Sequence, residues 1–280
     1  MITIAHLSDL HFSNISIFPL SLKRFIGTTN LLITRKRSYI DMHLSKLPNL
    51  LKSLDVNNIF ITGDLSSTSL KKEFEKAKKF IDSFDENIKF FIVPGNHDTY
   101  TKQADKCSYF QNIIKSKNIL NTKKQKIHLS DLSEKWVYIG LDTTLVTPIF
   151  SATGLFSTEI EKDLIDILEK IPKDKNIIIS NHFPIFHKAA KRKLLKRREA
   201  LLNVIKRYPN IKLYLHGHTH KRSITKEDNM PYMICSGCSA HKKNASFNIL
   251  KIEDDKCFMQ SYILQDSNWK KDRVEELNFS

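Results

Sequence analysis

Glycine is rare in this chain, seven residues in 280, and neither glycine nor proline gathers into a stretch that could serve as a linker. Internal repeats are absent too, which excludes solenoids and propellers. No apolar run approaches the roughly 20 residues needed to cross a bilayer as a helix. Four cysteines cannot frame a chain of this length with disulfides, so a reducing compartment, the cytosol, is expected. The opening Met1-Ile2-Thr3-Ile4 runs straight into a strand-like pattern and leaves no room for a signal peptide. With 41% hydrophobic residues the chain can bury a sizeable core, and one domain spanning 1–280 is expected.

Positive charge is what the chain has in excess: the formal net charge is +15, a balance that ordinarily points to nucleic acid or an anionic membrane. Lysine, isoleucine and asparagine are abundant while glycine and arginine are scarce, the pattern of an AT-rich coding sequence. Arginine is therefore the more telling cation. Six of the nine arginines fall in two short segments, Arg24, Arg35 and Arg37, then Arg192, Arg197 and Arg198. The first segment lies in a basic amphipathic insertion at about 13–39, where Phe18, Leu22, Phe25 and Ile26 recur at helical spacing. That insertion reads either as a helix on its own sheet or as a surface meeting a membrane or an amphiphilic substrate.

Five apolar runs each end in polar groups. Ile2 to Leu7 leads to Asp9-Leu10-His11, and Ile59-Phe60-Ile61 to Gly63-Asp64. Phe90 to Val93 leads to Gly95-Asn96-His97-Asp98, Ile177 to Ile179 to Asn181-His182, and Ile211 to Leu215 to Gly217-His218-Thr219-His220. Strand C-termini are where open α/β sheets build their sites. Two imidazoles one residue apart converge only where a strand ends and turns, and a metal would make them converge. A carboxylate such as Asp64 has two oxygens, enough to bridge two cations and reduce their repulsion.

D-x-H, G-D, G-N-H-D, a lone His and G-H-x-H, in this order, resemble the calcineurin-like metallophosphoesterase superfamily. The resemblance implies an α/β fold of two facing mixed β-sheets flanked by helices, a four-layer sandwich. It also implies two divalent metal ions, manganese, iron or zinc, with Asp9, His11, Asp64 and His220 at one and Asp64, Asn96, His182 and His218 at the other. Metals about 3.5 to 4 Å apart activate a water for in-line attack on phosphorus, so no side chain need be the nucleophile. His97 is then the candidate to stabilise the transition state or protonate the leaving oxygen, with Asp98 the carboxylate nearest in sequence to keep it charged.

Substrate is less legible. Gly63-Asp64-Leu65-Ser66-Ser67-Thr68 departs from the protein-phosphatase pattern, in which an acidic residue and Arg-Gly follow. Ala5 to Phe12 is similar to small bacterial cyclic-nucleotide phosphodiesterases, which implies hydrolysis of a phosphodiester or pyrophosphate in a nucleotide-type substrate, with Arg192, Arg197 or Arg198 gripping phosphate or sugar. The rival is a membrane-surface UDP-2,3-diacylglucosamine pyrophosphatase that uses the 15–37 region on anionic headgroups. A nuclease lacks an aromatic stacking platform here, and a non-catalytic scaffold would lack ligands. A cytoplasmic enzyme is expected, peripheral on the inner membrane face under the second reading, with no obligate protein partner. Cys235-Ser236-Gly237-Cys238 has redox spacing but no helix after it and reads as buried small residues. His6 reads as core, His43, His128 and His241 as structural or solvated, and His187 and His216 as groups behind the site.

Overall fold

The computed structural model describes residues 1–14, 42–115, 126–148, 151–186 and 191–279. Nearly all of the basic amphipathic insertion, with Arg24, Arg35 and Arg37, lies outside the described residues, as does His187.

The first half alternates strand and helix. Strand β1 (Ile2–Leu7) leads to a 3-10 turn at Met42–Lys46 and helix α1 (Leu47–Ser53). Then come β2 (Asn58–Ile61), α2 (Lys71–Asp82), β3 (Lys89–Ile92), α3 (Lys102–Lys106) and α4 (Tyr109–Lys115). The stripe from Ile40 to Leu54 predicts a helix strained by Pro48. The chain avoids that strain by starting α1 at Leu47, which puts Pro48 in the first turn, where a missing N–H costs nothing. Next follow β4 (Ile127–Asp131), β5 (Trp136–Leu141), the short β6 (Gly154–Leu155), α5 (Thr158–Leu168), β7 (Asn176–Asn181), the short β8 (Leu195–Lys196) and α6 (Arg198–Arg207). The remainder is β9 (Ile211–His216), β10 (Ser223–Thr225), β11 (Tyr232–Cys235), β12 (Ser246–Ile252), β13 (Lys256–Gln265) and β14 (Asn268–Asn278).

These strands form two six-stranded mixed sheets, β14-β13-β12-β1-β2-β3 and β10-β11-β9-β7-β5-β4, with β6 and β8 paired apart. Period-two alternation sends each central strand's side chains to two different cores. Ile4, Phe60 and Phe91 of the first sheet meet Tyr138, Ile178, Leu213 and Ile234 of the second. Ala5, Leu7, Ile59, Ile61 and Ile92 face the other way, onto Leu47, Leu51, Phe74, Ala77, Ile81 and Phe110 of the helices. Ile139, Ile177, Ile179 and Tyr214 do the same against Ile160, Leu164, Leu201 and Ile205. Helix, sheet, sheet, helix is the four-layer sandwich anticipated from the motifs.

Several local signals resolve differently from their sequence reading. Thr158 and Glu161 have capping-box spacing, yet the cap of α5 is Ser157, whose hydroxyl accepts from Ile160 N at 3.3 Å. Glu161 is thereby released to meet Arg197. The tail after Gln265, which has no clear pattern, is the edge strand β14. Asp266 and Ser267, with φ 51° and 61°, make the two-residue turn into it. Its run of Lys270, Lys271, Asp272 and Arg273 keeps that edge from recruiting another strand.

Helix α2 buries a carboxylate that its lysine-rich pattern hides. Glu73 is fully buried, and it accepts from Thr68 N at 2.8 Å, Thr68 Oγ1 at 3.1 Å, Leu70 N at 3.1 Å and Asn14 N at 3.1 Å. Burial raises its pKa above the ordinary 4.5, against the opposing pull of these donors. A raised acid keeps its proton longer in the folded state, so folding binds protons and stability falls as pH rises above about 4.5. Relative to Glu73→Gln, the wild-type melting temperature is expected to decline between pH 4 and 7. Parallel melting profiles for the two proteins over that range would refute this.

Candidate metal centre

The site is built where strands stop. In the first sheet β1, β2 and β3 run parallel with Leu7 opposite Ile61 and Ile61 opposite Ile92, so all three end on one line. In the second, β7 and β9 are parallel with Ser180 opposite Leu215. The loops beyond continue to pair: Asp9 N donates to Gly63 O at 3.0 Å, His11 N to Asp64 O at 2.9 Å, and Gly217 N to His182 O at 3.1 Å. Five short motifs far apart in the chain are thereby gathered at one rim.

The backbone bends sharply there. Asp9, His11, Asp64, His218 and His220 all have left-handed φ, between 45° and 68°. Each such residue costs roughly 1–2 kcal/mol relative to its preferred conformation, strain of the kind folds retain at functional sites. Two glycines permit the accompanying close approaches. A Cβ on Gly95 would lie 2.2 Å from Asp64 Oδ1, and one on Gly217 would lie 1.8 Å from Ser8 Oγ and 2.6 Å from Asp9 Oδ2.

On one side, Asp9 Oδ1 lies 3.0 Å from His220 Nε2 and 3.7 Å from His11 Nε2, and the two imidazole nitrogens are 3.2 Å apart. Donor atoms of Asp9, His11, Asp64 and His220 all fall within 4.8 Å of one another, a grouping able to hold a cation. Asp9 Oδ2 is already engaged, accepting from Ser8 Oγ at 2.6 Å and His218 N at 3.1 Å. Burial alone would raise the pKa of Asp9, but the neighbouring His220, with His182 and His11, holds it below the usual carboxylate range.

On the other side the tautomers can be read from the outward hydrogen bonds. His182 Nδ1–H donates to Thr62 O at 2.7 Å, and His218 Nε2–H donates to Lys193 O at 2.9 Å. Burial lowers the pKa of both rings, that of His218 to about 3, so both are neutral. Their remaining lone pairs, on His182 Nε2 and His218 Nδ1, face each other at 3.3 Å and point at Asn96 Oδ1 from 3.2 and 3.0 Å. Asp64 Oδ2 is 3.4 Å from His182 Nε2 and 3.9 Å from His11 Nε2, which sets it between the two groups. Four electron-pair donors without a proton among them repel one another unless a cation sits between them. The donor set fits divalent metal, and its oxygen and imidazole mixture suits manganese, iron or zinc alike.

His97 stands beside this array, its ring 5.1 Å from that of His11 and stacked on Tyr100 at 5.5 Å. Its backbone N donates to Asp64 Oδ1 at 2.7 Å, and Nδ1–H donates to Ser67 O at 2.6 Å. The carboxylate expected to orient His97 is employed elsewhere. Asp98 accepts from Gly95 N, Leu65 N, Ser66 N and Ser66 Oγ at 2.9, 3.2, 2.8 and 3.1 Å, clasping two site loops together. Its burial pushes the carboxyl up to about 6 against those hydrogen bonds.

The three arginines expected at the substrate separate. Arg197 reaches across to α5 and the loop before it, donating to Glu161 Oε2 at 2.5 Å and to Phe156 O at 3.1 Å, and Arg198 donates to its helix neighbour Glu199 Oε1 at 3.0 Å, so both are engaged. Arg192 is exposed on a short turn, Lys191–Lys193, whose last carbonyl is the partner of His218. A backbone carbonyl carries no sequence signal, which is why the roles of Thr62, Ser67 and Lys193 were invisible in the primary structure. His6 is core, bonded to Thr62 Oγ1 at 3.1 Å, and His216 reaches Gly217 O at 3.1 Å.

Cys235 and Cys238 line the floor beneath. The Cys238 thiol donates to Asp9 O at 3.1 Å, and its sulfur falls within 4.8 Å of the His11 and His220 donor atoms. Burial pushes the Cys235 thiol up to about 12 and Cys238 well above its ordinary value, so neither is a nucleophile. Of the four cysteines only Cys107 is exposed. A disulfide-forming thiol reagent is expected to titrate one thiol per native chain and the rest only after denaturation; two fast thiols would contradict this.

An α/β sandwich with carboxylates, imidazoles and an amide converging at five strand ends defines a metal-centred hydrolase scaffold. Residues 2–222 match the calcineurin-like phosphoesterase family, and the chain belongs to that family. It is a metal-dependent phosphoesterase. A 3′,5′-cyclic-nucleotide phosphodiesterase of Nostoc sp. is 25% identical over 237 residues, 83% of this chain and 76% of that protein. Among solved structures, a dimetal phosphatase from Danio rerio superposes with a TM-score of 0.71 at 13% identity, covering 100% of this chain and 99% of that one. A purple acid phosphatase from yellow lupin gives 0.65 at 10% identity over 99% of this chain and 53% of the other. At those identities the two structures establish the fold. No helix among the described residues is long and apolar enough to cross a membrane.

Proposed function

We propose that this protein hydrolyses a phosphodiester bond in a nucleotide-type substrate at a centre of two divalent ions. Asp9, His11, Asp64 and His220 would hold one ion, and Asp64, Asn96, His182 and His218 the other. The observation that carries the reading is the pair of inward lone pairs on His182 and His218, fixed by outward bonds to Thr62 O and Lys193 O. The relative named as a cyclic-nucleotide phosphodiesterase supports the nucleotide assignment over a membrane-borne pyrophosphate substrate.

Bound there, the ions supply Lewis acidity toward the phosphoryl oxygens and lower the pKa of a water. The protein's own groups do the rest. Water adds across the P–O bond and yields a phosphomonoester and an alcohol. His97 Nε2 delivers the proton to the leaving oxygen, since Nδ1–H remains bonded to Ser67 O in both protonation states and keeps the ring aimed. Asp64 fixes His97 from the other end by accepting its backbone N–H. The arrangement needs no side-chain nucleophile.

The test is hydrolysis of bis(p-nitrophenyl) phosphate and 3′,5′-cyclic AMP by metal-stripped protein with manganese restored, in parallel with UDP-2,3-diacylglucosamine in detergent micelles. Metal-dependent turnover of the soluble esters is expected. Turnover confined to the micellar substrate would replace the nucleotide reading with the lipid one.

A further inference from the structure

The turn Lys191-Arg192-Lys193 has a placement that its loop character conceals. Leu194 N closes it onto Lys191 O at 3.2 Å, and Ala152 N donates to Arg192 O at 2.8 Å. The β6–β8 pairing, Gly154 opposite Leu195 and Leu155 opposite Lys196, clamps its far side. Leu195 is buried in the helix-side core of the second sheet, and Gly154 lies flat against Phe183, where an added Cβ would be 2.4 Å from the ring. Phe183 in turn packs on His218 with ring centres 4.9 Å apart, and Lys193 O receives the His218 N–H at 2.9 Å. The turn is thus held by backbone against the His182 and His218 half of the centre.

All three of its side chains are exposed cations, and among the described residues none has a hydrogen bond or ion pair. The contrast with Arg197 and Arg198, each held by a glutamate, is direct. Three contiguous uncompensated charges raise the local concentration of anions and add Coulomb attraction that salt screens over about 8–10 Å. A cyclic mononucleotide brings a single ionised group, and the metal centre consumes it. Nothing on such a substrate would remain for the turn.

We propose that Lys191, Arg192 and Lys193 form an anion subsite for substrates that carry a charged phosphate beyond the scissile one, of the class of short linear oligonucleotides with a terminal phosphate. This rests on the phosphodiesterase reading and narrows its substrate class. The subsite sits on a backbone that also orients His218, so the turn's main chain serves the centre while its side chains select the substrate.

The experiment compares wild type with the double variant Lys191→Ala, Arg192→Ala, which changes only exposed side chains and leaves Lys193, whose carbonyl holds His218, in place. Three substrates are used: bis(p-nitrophenyl) phosphate, 3′,5′-cyclic AMP and a 5′-phosphorylated dinucleotide. The variant is expected to lose roughly tenfold or more in kcat/KM on the dinucleotide and to stay within about twofold on the other two. In wild type, raising KCl from about 0.02 to 0.3 M is expected to erase most of the dinucleotide's advantage, and in the variant to change little. An equal loss on all three substrates would mean that the turn serves only His218, and an unchanged dinucleotide rate would mean that the cations are a solvated face. Either result overturns the proposal. If wild type fails on bis(p-nitrophenyl) phosphate, it is the phosphodiesterase reading that fails. Calorimetric binding of the dinucleotide to both proteins then still decides the subsite, with equal affinities overturning it.

Discussion

Asp64→Asn is expected to reduce turnover of any phosphodiester by about a thousandfold or more, an increase of roughly 4 kcal/mol in the barrier, while leaving a folded protein. The two oxygens of Asp64 do different work. Oδ1 accepts the His97 backbone N–H at 2.7 Å, and an asparagine carbonyl can keep that bond. Oδ2 is the atom between the His11 and His182 nitrogens, and an amide there presents N–H groups where an anion is needed. The substitution therefore removes a negative charge and an electron pair set between the His11 and His182 nitrogens, but little packing. Metal content measured by mass spectrometry is expected to fall to one ion or fewer per chain, with the melting temperature of the metal-free protein within about 3 °C of wild type. Near-wild-type turnover with full metal content would remove Asp64 from the centre and sink the two-ion proposal.

What could be read in the sequence, and what could not, follows from which atoms do the work. Asp9, His11, Asp64, Asn96, His182, His218 and His220 announce themselves because each follows an apolar run, and parallel strands end in register. The two-sheet sandwich is legible for the same reason: Ile59 to Ile61 and Ile177 to Ile179 are apolar at every position, as strands buried on both faces must be. The left-handed φ angles at five of these residues are not legible, since aspartate and histidine, though enriched at such angles, adopt ordinary ones far more often. Nor are the carbonyls of Thr62, Ser67 and Lys193, which choose the histidine tautomers, because every residue has one. Glu73 was masked by the lysines around it. The Arg197–Glu161 pair joins residues 36 apart that no local pattern connects.

Asp98 is the residue whose role changes most between sequence and structure, and Asp98→Asn is the second large effect expected. Its two oxygens receive three backbone N–H groups and the Ser66 hydroxyl, all buried. An asparagine can offer one carbonyl oxygen, enough for Ser66 N and Ser66 Oγ. Its amide nitrogen must then face the N–H groups of Gly95 and Leu65, donor against donor. Two stranded buried donors cost about 1–3 kcal/mol each, which outweighs the relief of no longer ionising a buried carboxyl. A net destabilisation on the order of 3 kcal/mol lowers the melting temperature by about 5–10 °C. The damage should spread to catalysis through geometry. The two loops that Asp98 clasps carry Asp64 and Asn96, and the Ser67 carbonyl that aims His97 belongs to one of them. Loss of His97 positioning is felt where the leaving oxygen needs a proton and not where it leaves as a stabilised phenolate. Assayed below its melting transition, the variant is expected to lose more kcat on an alkyl phosphodiester than on bis(p-nitrophenyl) phosphate. A direct pairing of Asp98 with the imidazole would instead leave stability nearly unchanged and shift the pH dependence of kcat. A variant with wild-type melting behaviour and such a shift would restore the carboxylate to His97 and remove it from the loops.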